Sequence, residues 1–312
     1  MGNCLHRAES RLQNIESWTI DGSEYDWNSW NETFNYTDDD VNSAAPCHSC
    51  VLLDSSSLPF FALFSALGML GGGTLLFGLL KPLGCWHLCP GRTILAQMAG
   101  GSTLFSIVLP ILAPGLNPTP GTTLCWLGHG LWYASAFAQA LLLCVHACLG
   151  PKLHQSWILK LSLALWGVAL LMALPVTLAS DVSSGLCTLS FSPKVWVWSV
   201  IHIVVCIAVF FILPLGLVGG WVVWWVRGGG PRPQATVLWI WFLFWWLHAV
   251  AMGFDALVRS DALVITECFA QQTLDFLLDS AKILGVLHCL ATPLLLVLFC
   301  HHVTRTPTLN LL

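Results

Sequence analysis

The stretch Leu274-Asp275-Phe276-Leu277-Leu278-Asp279-Ser280-Ala281-Lys282, continued at Leu287-His288-Cys289-Leu290-Ala291-Thr292-Pro293, decides the fold. It lies in an apolar run from Phe269 to Phe299. About 20 residues suffice to cross a bilayer, so the run can span one with an extra turn or two at its outer end. Asp275, Asp279 and Lys282 are spaced by four and then three residues, which puts them on one face of a helix. Charges at membrane depth are costly unless they face a packed interior or water, so this face is expected to line a polar cavity. Pro293 predicts a kink further down. The run reads as the last helix of a seven-helix bundle, with its charged upper half in a ligand pocket.

Composition supports that reading. Of the 312 residues, 56% are hydrophobic and 9% are charged, against about 25% charged in soluble domains. A soluble fold of this size has no place for so much apolar surface, so the chain is an integral membrane protein. Residues 1–54 hold ten of the sixteen acids but only two of the twelve basic residues, Arg7 and Arg11. That segment therefore carries −8 and the remainder +4 at reference charge states.

The expected organisation is an acidic, mostly disordered tail over 1–57, an all-α seven-helix transmembrane domain over 58–299 and a short tail over 300–312. The predicted spans are Leu58–Leu80, Thr93–Ala113, Leu124–Leu149, Ile158–Ala179, Val195–Val226, Ala235–Val258 and Phe269–Phe299. One side of the membrane collects Lys81, Arg92, Lys152, Lys160, Arg227, Arg232 and Arg305. The other collects Arg7, Arg11, Lys194, Arg259 and Lys282. The positive-inside preference puts the first set in the cytoplasm. None of the acids falls in a connection on that side, so the tail is expected outside and the outer surface is expected to be acidic.

Orientation sorts the cysteines. Polar outer cysteines are expected to pair in an oxidising compartment. Cys125 with Cys187 would tie helix three to the second outer loop. Cys47, or Cys50 in its place, with Cys268 would tie the tail to the third outer loop. A zinc half-site at Cys47-His48-Ser49-Cys50 is the weaker reading in that compartment. Cys144, Cys148, Cys206, Cys289 and Cys300 lie in helices or at their ends and read as small apolar packing residues. Cys85 and Cys89 are expected to face the cytoplasm as reduced thiols, with acylation of either as the alternative.

Seven helices, an outer tail, the Cys125 and Cys187 pair and the Thr292-Pro293 step resemble rhodopsin-like G-protein-coupled receptors. Leu287-His288-Cys289 before Pro293 is similar to a run of the chemokine receptors, as is the extra outer cysteine pair. Further runs resemble the atypical branch of that family: Ala45-Pro46-Cys47-His48-Ser49-Cys50, Ser135-Ala136-Phe137-Ala138-Gln139-Ala140-Leu141 and Leu174-Pro175-Val176-Thr177-Leu178-Ala179-Ser180. The resemblance covers nearly the whole chain.

The resemblance also marks departures. Leu149-Gly150-Pro151 stands where signalling members carry Asp-Arg-Tyr. Ser102 stands at the helix-two aspartate that anchors an internal sodium ion. Thr292-Pro293-Leu294-Leu295-Leu296 replaces Asn-Pro-x-x-Tyr. Three altered switch elements imply a receptor that binds without signalling. Leu247 replaces the helix-six proline, and Lys282 stands where a glutamate is usual.

The resemblance implies binding of small basic chemokines at two places. The first is the tail, with Tyr25, Asp26, Tyr36, Asp38, Asp39 and Asp40, where both tyrosines sit among acids as sulfation prefers. The second is a pocket bounded by Asp255, Asp275 and Asp279, in which Asp279 could instead simply pair with Lys282. His248 near Trp245 reads as a pocket donor or a packed core histidine. Asn31 and Asn35 open glycosylation sequons. Uptake or transcytosis of chemokines, residence at the plasma membrane and in endosomes, a blood-group antigen role, docking of a malaria-parasite adhesin and homo- or hetero-oligomers are further implications. Residual G-protein coupling is the alternative. A transporter coupled through Asp275, Asp279 and Lys282 is the reading from another class, and the lack of a visible internal repeat disfavours it. No nucleophile paired with a base and no metal cluster is legible, so neither an enzyme nor a cofactor is expected.

Overall fold

A computed structural model of the chain describes residue 53 and residues 57–81, 92–113, 121–149, 155–183, 186–228, 234–260, 262–265 and 267–305. Seven helices in it are long and apolar enough to cross a membrane. They are α1 (Leu58–Leu80), α2 (Arg92–Leu112), α3 (Thr122–Leu149), α4 (Gln155–Ala179), α5 (Trp196–Val226), α6 (Gln234–Arg259) and α7 (Cys268–Arg305). A two-stranded hairpin, β1 (Ser180–Ser183) with β2 (Leu186–Leu189), joins α4 to α5. Each helix falls within three residues of its expected start, because apolar length sets a membrane helix more firmly than any cap does. At its end, α7 runs on to Arg305, beyond the predicted Phe299.

Burial shows which helices form the axis. In α3, 67% of the apolar window is buried, against 28% in α1 and in α4. α3 therefore runs through the middle, and α1 and α4 form outer walls whose Leu63, Leu70, Leu163 and Leu171 side chains are exposed. Such exposure is unfavourable in water and suited to lipid. α1 approaches its neighbours closely at Gly68, where a Cβ would collide with the Ser106 side chain of α2. The Ser65 hydroxyl donates to the Ser106 carbonyl at 2.7 Å in the same contact.

Proline acts differently in two helices. α5 contains a π-helical turn, Ala208–Ile212, immediately before Leu213 and Pro214. Pro214 has no N–H to donate, and the wider turn accommodates the missing bond. α7 continues without a break through Pro293, which packs beside Gly71 of α1. At its lower end α5 stops at Gly228, whose φ of 82° is the left-handed conformation that glycine adopts freely.

An aromatic column fills the centre. Phe137 of α3 stacks on Phe210 of the π turn at 5.3 Å, and Phe210 stacks on Trp245 of α6 at 4.8 Å. Phe105 of α2 meets Trp245 edge-on at 5.9 Å. Phe105, Phe137, Phe210 and Trp245 are all completely buried. Ring pairs of this kind add about 0.5–1.5 kcal/mol each beyond the area they bury.

Candidate ligand-binding site

The two ends of the bundle differ in charge. The upper end, where α1 begins, carries Asp181, Asp255, Asp275 and Asp279. The lower end carries Lys81, Arg92, Lys160 and Arg227. Two of these lower lysines lie over aromatic rings: Lys81 sits 5.0 Å from the centre of Phe77 and Lys160 sits 5.6 Å from that of Trp157. This places the ammonium over a ring at the helix end while the stem covers apolar surface.

At the upper end α6 and α7 place their carboxylates together. Asp275 lies within electrostatic reach of Asp255, Asp279, Arg259 and Lys282. Asp255, Asp275 and Asp279 are all buried, at 8%, 6% and 9% exposure, so a charged partner meeting them would do so with little screening. Asp279 accepts from Lys282 Nζ at 3.3 Å, and Lys282 remains 55% exposed. The spacing of three that suggested this pair produces it. Asp255 accepts from Arg259 Nε at 2.8 Å, one helical turn further on. The Arg259 guanidinium lies over the Phe191 ring at 4.6 Å, which ties the end of α6 to the segment after β2. Arg259 was expected only as a loop cation. Its distance of four from Asp255 was the signal for the pair.

Below the carboxylates lies a layer of neutral polar groups. Tyr133 Oη of α3 is 2.8 Å from His248 Nε2 of α6. The Tyr133 ring meets the His202 ring of α5 edge-on at 4.3 Å. His202 Nε2 is 3.5 Å from the Cys206 thiol one turn along α5. The spacing of four on one helix was a signal for this thiol–imidazole pair that went unread, and both members are fully buried, as packing groups are. His129 Nδ1 is 2.7 Å from Ser180 Oγ, and Trp126 Nε1 donates to the Ser180 carbonyl at 2.7 Å, so α3 holds the root of the hairpin. The Lys282 charge is felt at His129 and His248, although its side chain is more than half exposed. His248 is thus both a packed residue, 5.6 Å from the Trp245 ring, and a hydrogen-bonding one.

Cys125 and Cys187 come side by side. The Cys125 thiol donates to the Asp181 carbonyl at 3.6 Å. The hairpin register pairs Val182 with Cys187, and the two thiols are within hydrogen-bonding reach of each other. Both are free thiols in this structure. Cys144, Cys148, Cys206 and Cys289 are free as well. Cys300 is buried in the core, as expected of a packing residue, but it is also disulfide-bonded, which was not expected. The expected tail contacts at Tyr25, Asp26, Tyr36, Asp38, Asp39 and Asp40, the sequons at Asn31 and Asn35, and Cys47 and Cys50 lie outside the described residues, as does the side chain of Cys268.

Of the altered switch positions, Ser102 is completely buried and donates to the Cys289 carbonyl of α7 at 3.0 Å. Thr292 and Leu296 are buried in α7. α3 ends at Leu149, and Gly150 and Pro151 lie outside the described residues.

Seven apolar helices around a central α3, with buried carboxylates gathered at one end, define a multi-pass membrane protein of the seven-transmembrane receptor class. No protein-family model matches the chain. Curated proteins do. The chain is 53% identical to atypical chemokine receptor 1 of Macaca mulatta, over 98% of this chain and 93% of that one. It is 51% identical to the Homo sapiens protein of that name and 50% identical to the Bos taurus one, again over 98% of this chain and at least 93% of theirs. The chain belongs to the atypical chemokine receptor 1 family, also known as the Duffy antigen.

Proposed function

We propose that the chain is a non-signalling receptor that binds inflammatory chemokines promiscuously and removes them by internalisation or carries them across cells. The supporting observation is the set of three buried carboxylates at the upper end of α6 and α7, on the same side as a tail carrying −8. A small basic protein is attracted by the tail over a Debye length of about 8 Å. It then meets Asp255, Asp275 and Asp279. Sulfation of Tyr25 and Tyr36 adds acceptors for its Arg and Lys side chains. In this reading the tail is outside the plasma membrane, glycosylated at Asn31 and Asn35, and the receptor cycles through endosomes. The same tail is the surface for a blood-group epitope and for a malaria-parasite adhesin. G-protein coupling is absent, because the basic side chain that would pack against the G protein has no counterpart at Leu149-Gly150-Pro151.

The test is binding of a panel of labelled chemokines to cells displaying the full chain, alongside Tyr36→Phe and a G-protein activation readout. Binding to several chemokines, weakened in Tyr36→Phe and silent in the activation readout, is the expected result. Clear G-protein activation would return the chain to the signalling branch. Uptake of a small solute without chemokine binding would favour a transporter.

A further inference from the structure

At mid-depth, α2, α3, α6 and α7 bring together polar groups that no described side chain or backbone satisfies. Gln139 is completely buried, and neither its Oε1 nor its Nε2 has a partner. His288 is completely buried with both ring nitrogens unpartnered. The hydroxyl of Thr292, one turn further along α7, is also unpartnered, as are the indole N–H groups of Trp241 and Trp245.

These groups form one neighbourhood. Gln139 packs on Gly101 so closely that a Cβ there would lie 3.1 Å from its Cγ. Ser102, the next residue, donates to the Cys289 carbonyl at 3.0 Å. His288 and Thr292 flank Cys289 in α7, and the Trp241 and Trp245 rings stand 5.1 and 5.4 Å from the His288 ring. Lipid offers them no hydrogen bond, and so many bare groups would offset much of the stability of an ordinary domain. Buried polar groups are almost always paired, with protein or with ordered water.

The mixture of donors and acceptors selects the occupant. The two indoles and the Gln139 amide nitrogen present N–H groups. The Gln139 oxygen and an imidazole nitrogen accept, and the Thr292 hydroxyl does both. A metal cation would satisfy the acceptors and face the N–H groups with the wrong sign. Moreover, this neighbourhood holds no carboxylate among the described residues; Asp255, Asp275 and Asp279 stand at the upper end. We propose that Gln139, His288, Thr292, Trp241 and Trp245 enclose a site for a small cluster of ordered water molecules, which replaces a cation at the centre of the bundle. Water both donates and accepts, and each molecule needs the two to four partners that this set offers. The salt dependence of ligand binding then reports the charges of the tail and upper end alone.

The inference stands apart from chemokine binding, and its test does not use a ligand. The full chain in lipid nanodiscs is exposed to brief X-ray radiolysis, and hydroxyl-radical modification is mapped by mass spectrometry. Thermal unfolding is followed in sodium chloride and in choline chloride at equal ionic strength. The expected result is that Trp245 and His288 are modified several-fold faster than Phe137, after correction for intrinsic reactivity, although Phe137 is equally buried. The unfolding midpoint is the same in both salts, and Gln139→Leu lowers the modification of His288. Equal protection of all three residues would mean a dry core and overturn the proposal. A midpoint raised by sodium would mean a cation site and overturn it as well. Both measurements use the parent chain, so a variant that fails to fold does not remove the test.

Discussion

Tyr133 Oη lies 2.8 Å from His248 Nε2, and this is the contact that joins α3 to α6 beneath the carboxylates. Both side chains are more than nine-tenths buried. Tyr133→Phe keeps the ring and its 4.3 Å contact with His202 but leaves a buried imidazole nitrogen without its partner. The expected cost is about 1–3 kcal/mol. Replacing His248 as well, by Phe, removes the stranded group, so the double variant is expected to be less destabilised than the two singles added together. Thermal unfolding of all four proteins in one detergent or nanodisc measures the coupling. Additive effects would show that the two groups do not act as a pair.

The aromatic column sets a larger cost elsewhere. Phe210 is completely buried between Phe137 and Trp245. Phe210→Ala leaves a cavity at the π turn and is expected to destabilise by about 3–5 kcal/mol. Phe210→Leu restores most of the volume without the stacking and is expected to cost distinctly less. The unfolding midpoints of the two variants, ranked against the parent, decide between volume and ring contact as the dominant contribution.

Local patterns were legible in the sequence, as was the approach of Cys125 to Cys187, but the contacts between helices were not. Helix limits followed from apolar length, and the Asp279–Lys282 pair from a spacing of three. Asp255–Arg259, at a spacing of four, carried the same kind of signal and went unread because Arg259 sits at a helix end. Tyr133 and His248 are 115 residues apart, and no local pattern encodes such a contact. The ring neighbourhood of His288 is of the same kind, since Phe105 and Trp241 reach it from two other helices. Pro293 predicted a kink that α7 does not turn into a break, because a proline is tolerated where packed neighbours hold the freed carbonyl.

Arg259 combines an ion pair and a ring contact. Its side chain is 22% exposed and that of Asp255 is 12%, so the pair is only partly screened. Arg259→Lys keeps the charge but loses the planar stacking on Phe191 and the Nε donor. Arg259→Ala loses both. The expected losses are about 0.5–1 kcal/mol for Lys, the ring contribution at a partly exposed site, and about 1–2 kcal/mol for Ala, with the exposed-pair range added. Unfolding midpoints at low and high salt separate the two contributions, because only the ion pair weakens with added salt.

Cys125 and Cys187 offer a redox test. The hydrogen bond from Cys125 holds the Cys187 thiol below its usual range, which raises its thiolate fraction and its reactivity toward oxidants. With their thiols in reach and the hairpin held by Ser180, the two are expected to form a disulfide on an oxidising cell surface. Peptide mapping without reduction is expected to recover the Cys125 and Cys187 peptides linked. Removing the bond with Cys187→Ser is expected to cost about 2–4 kcal/mol. Recovery of both as alkylated thiols from surface-expressed protein would mean that the hairpin is held by Trp126, His129 and Ser180 alone.

Lys282 gives the sharpest test of the binding reading. It pairs with Asp279 at 3.3 Å while more than half of its side chain stays exposed. Lys282→Gln removes that positive charge and leaves Asp275 and Asp279 with Arg259 as the nearby cation. For a basic ligand that reaches this depth, affinity is expected to rise several-fold and its salt dependence to steepen, because a repelling positive charge beside the carboxylates is gone. Lys282→Glu adds a further acid and is expected to extend the trend, at a cost in stability from carboxylates crowded on one helix face. Asp279→Asn in the Lys282→Gln background removes the gained charge and is expected to return affinity toward the parent value. Equilibrium binding of one labelled basic chemokine at three salt concentrations measures all of these. Affinity unchanged across the series would mean that the ligand stays on the tail and never meets α7, so that Asp275 and Asp279 serve the bundle and not the ligand.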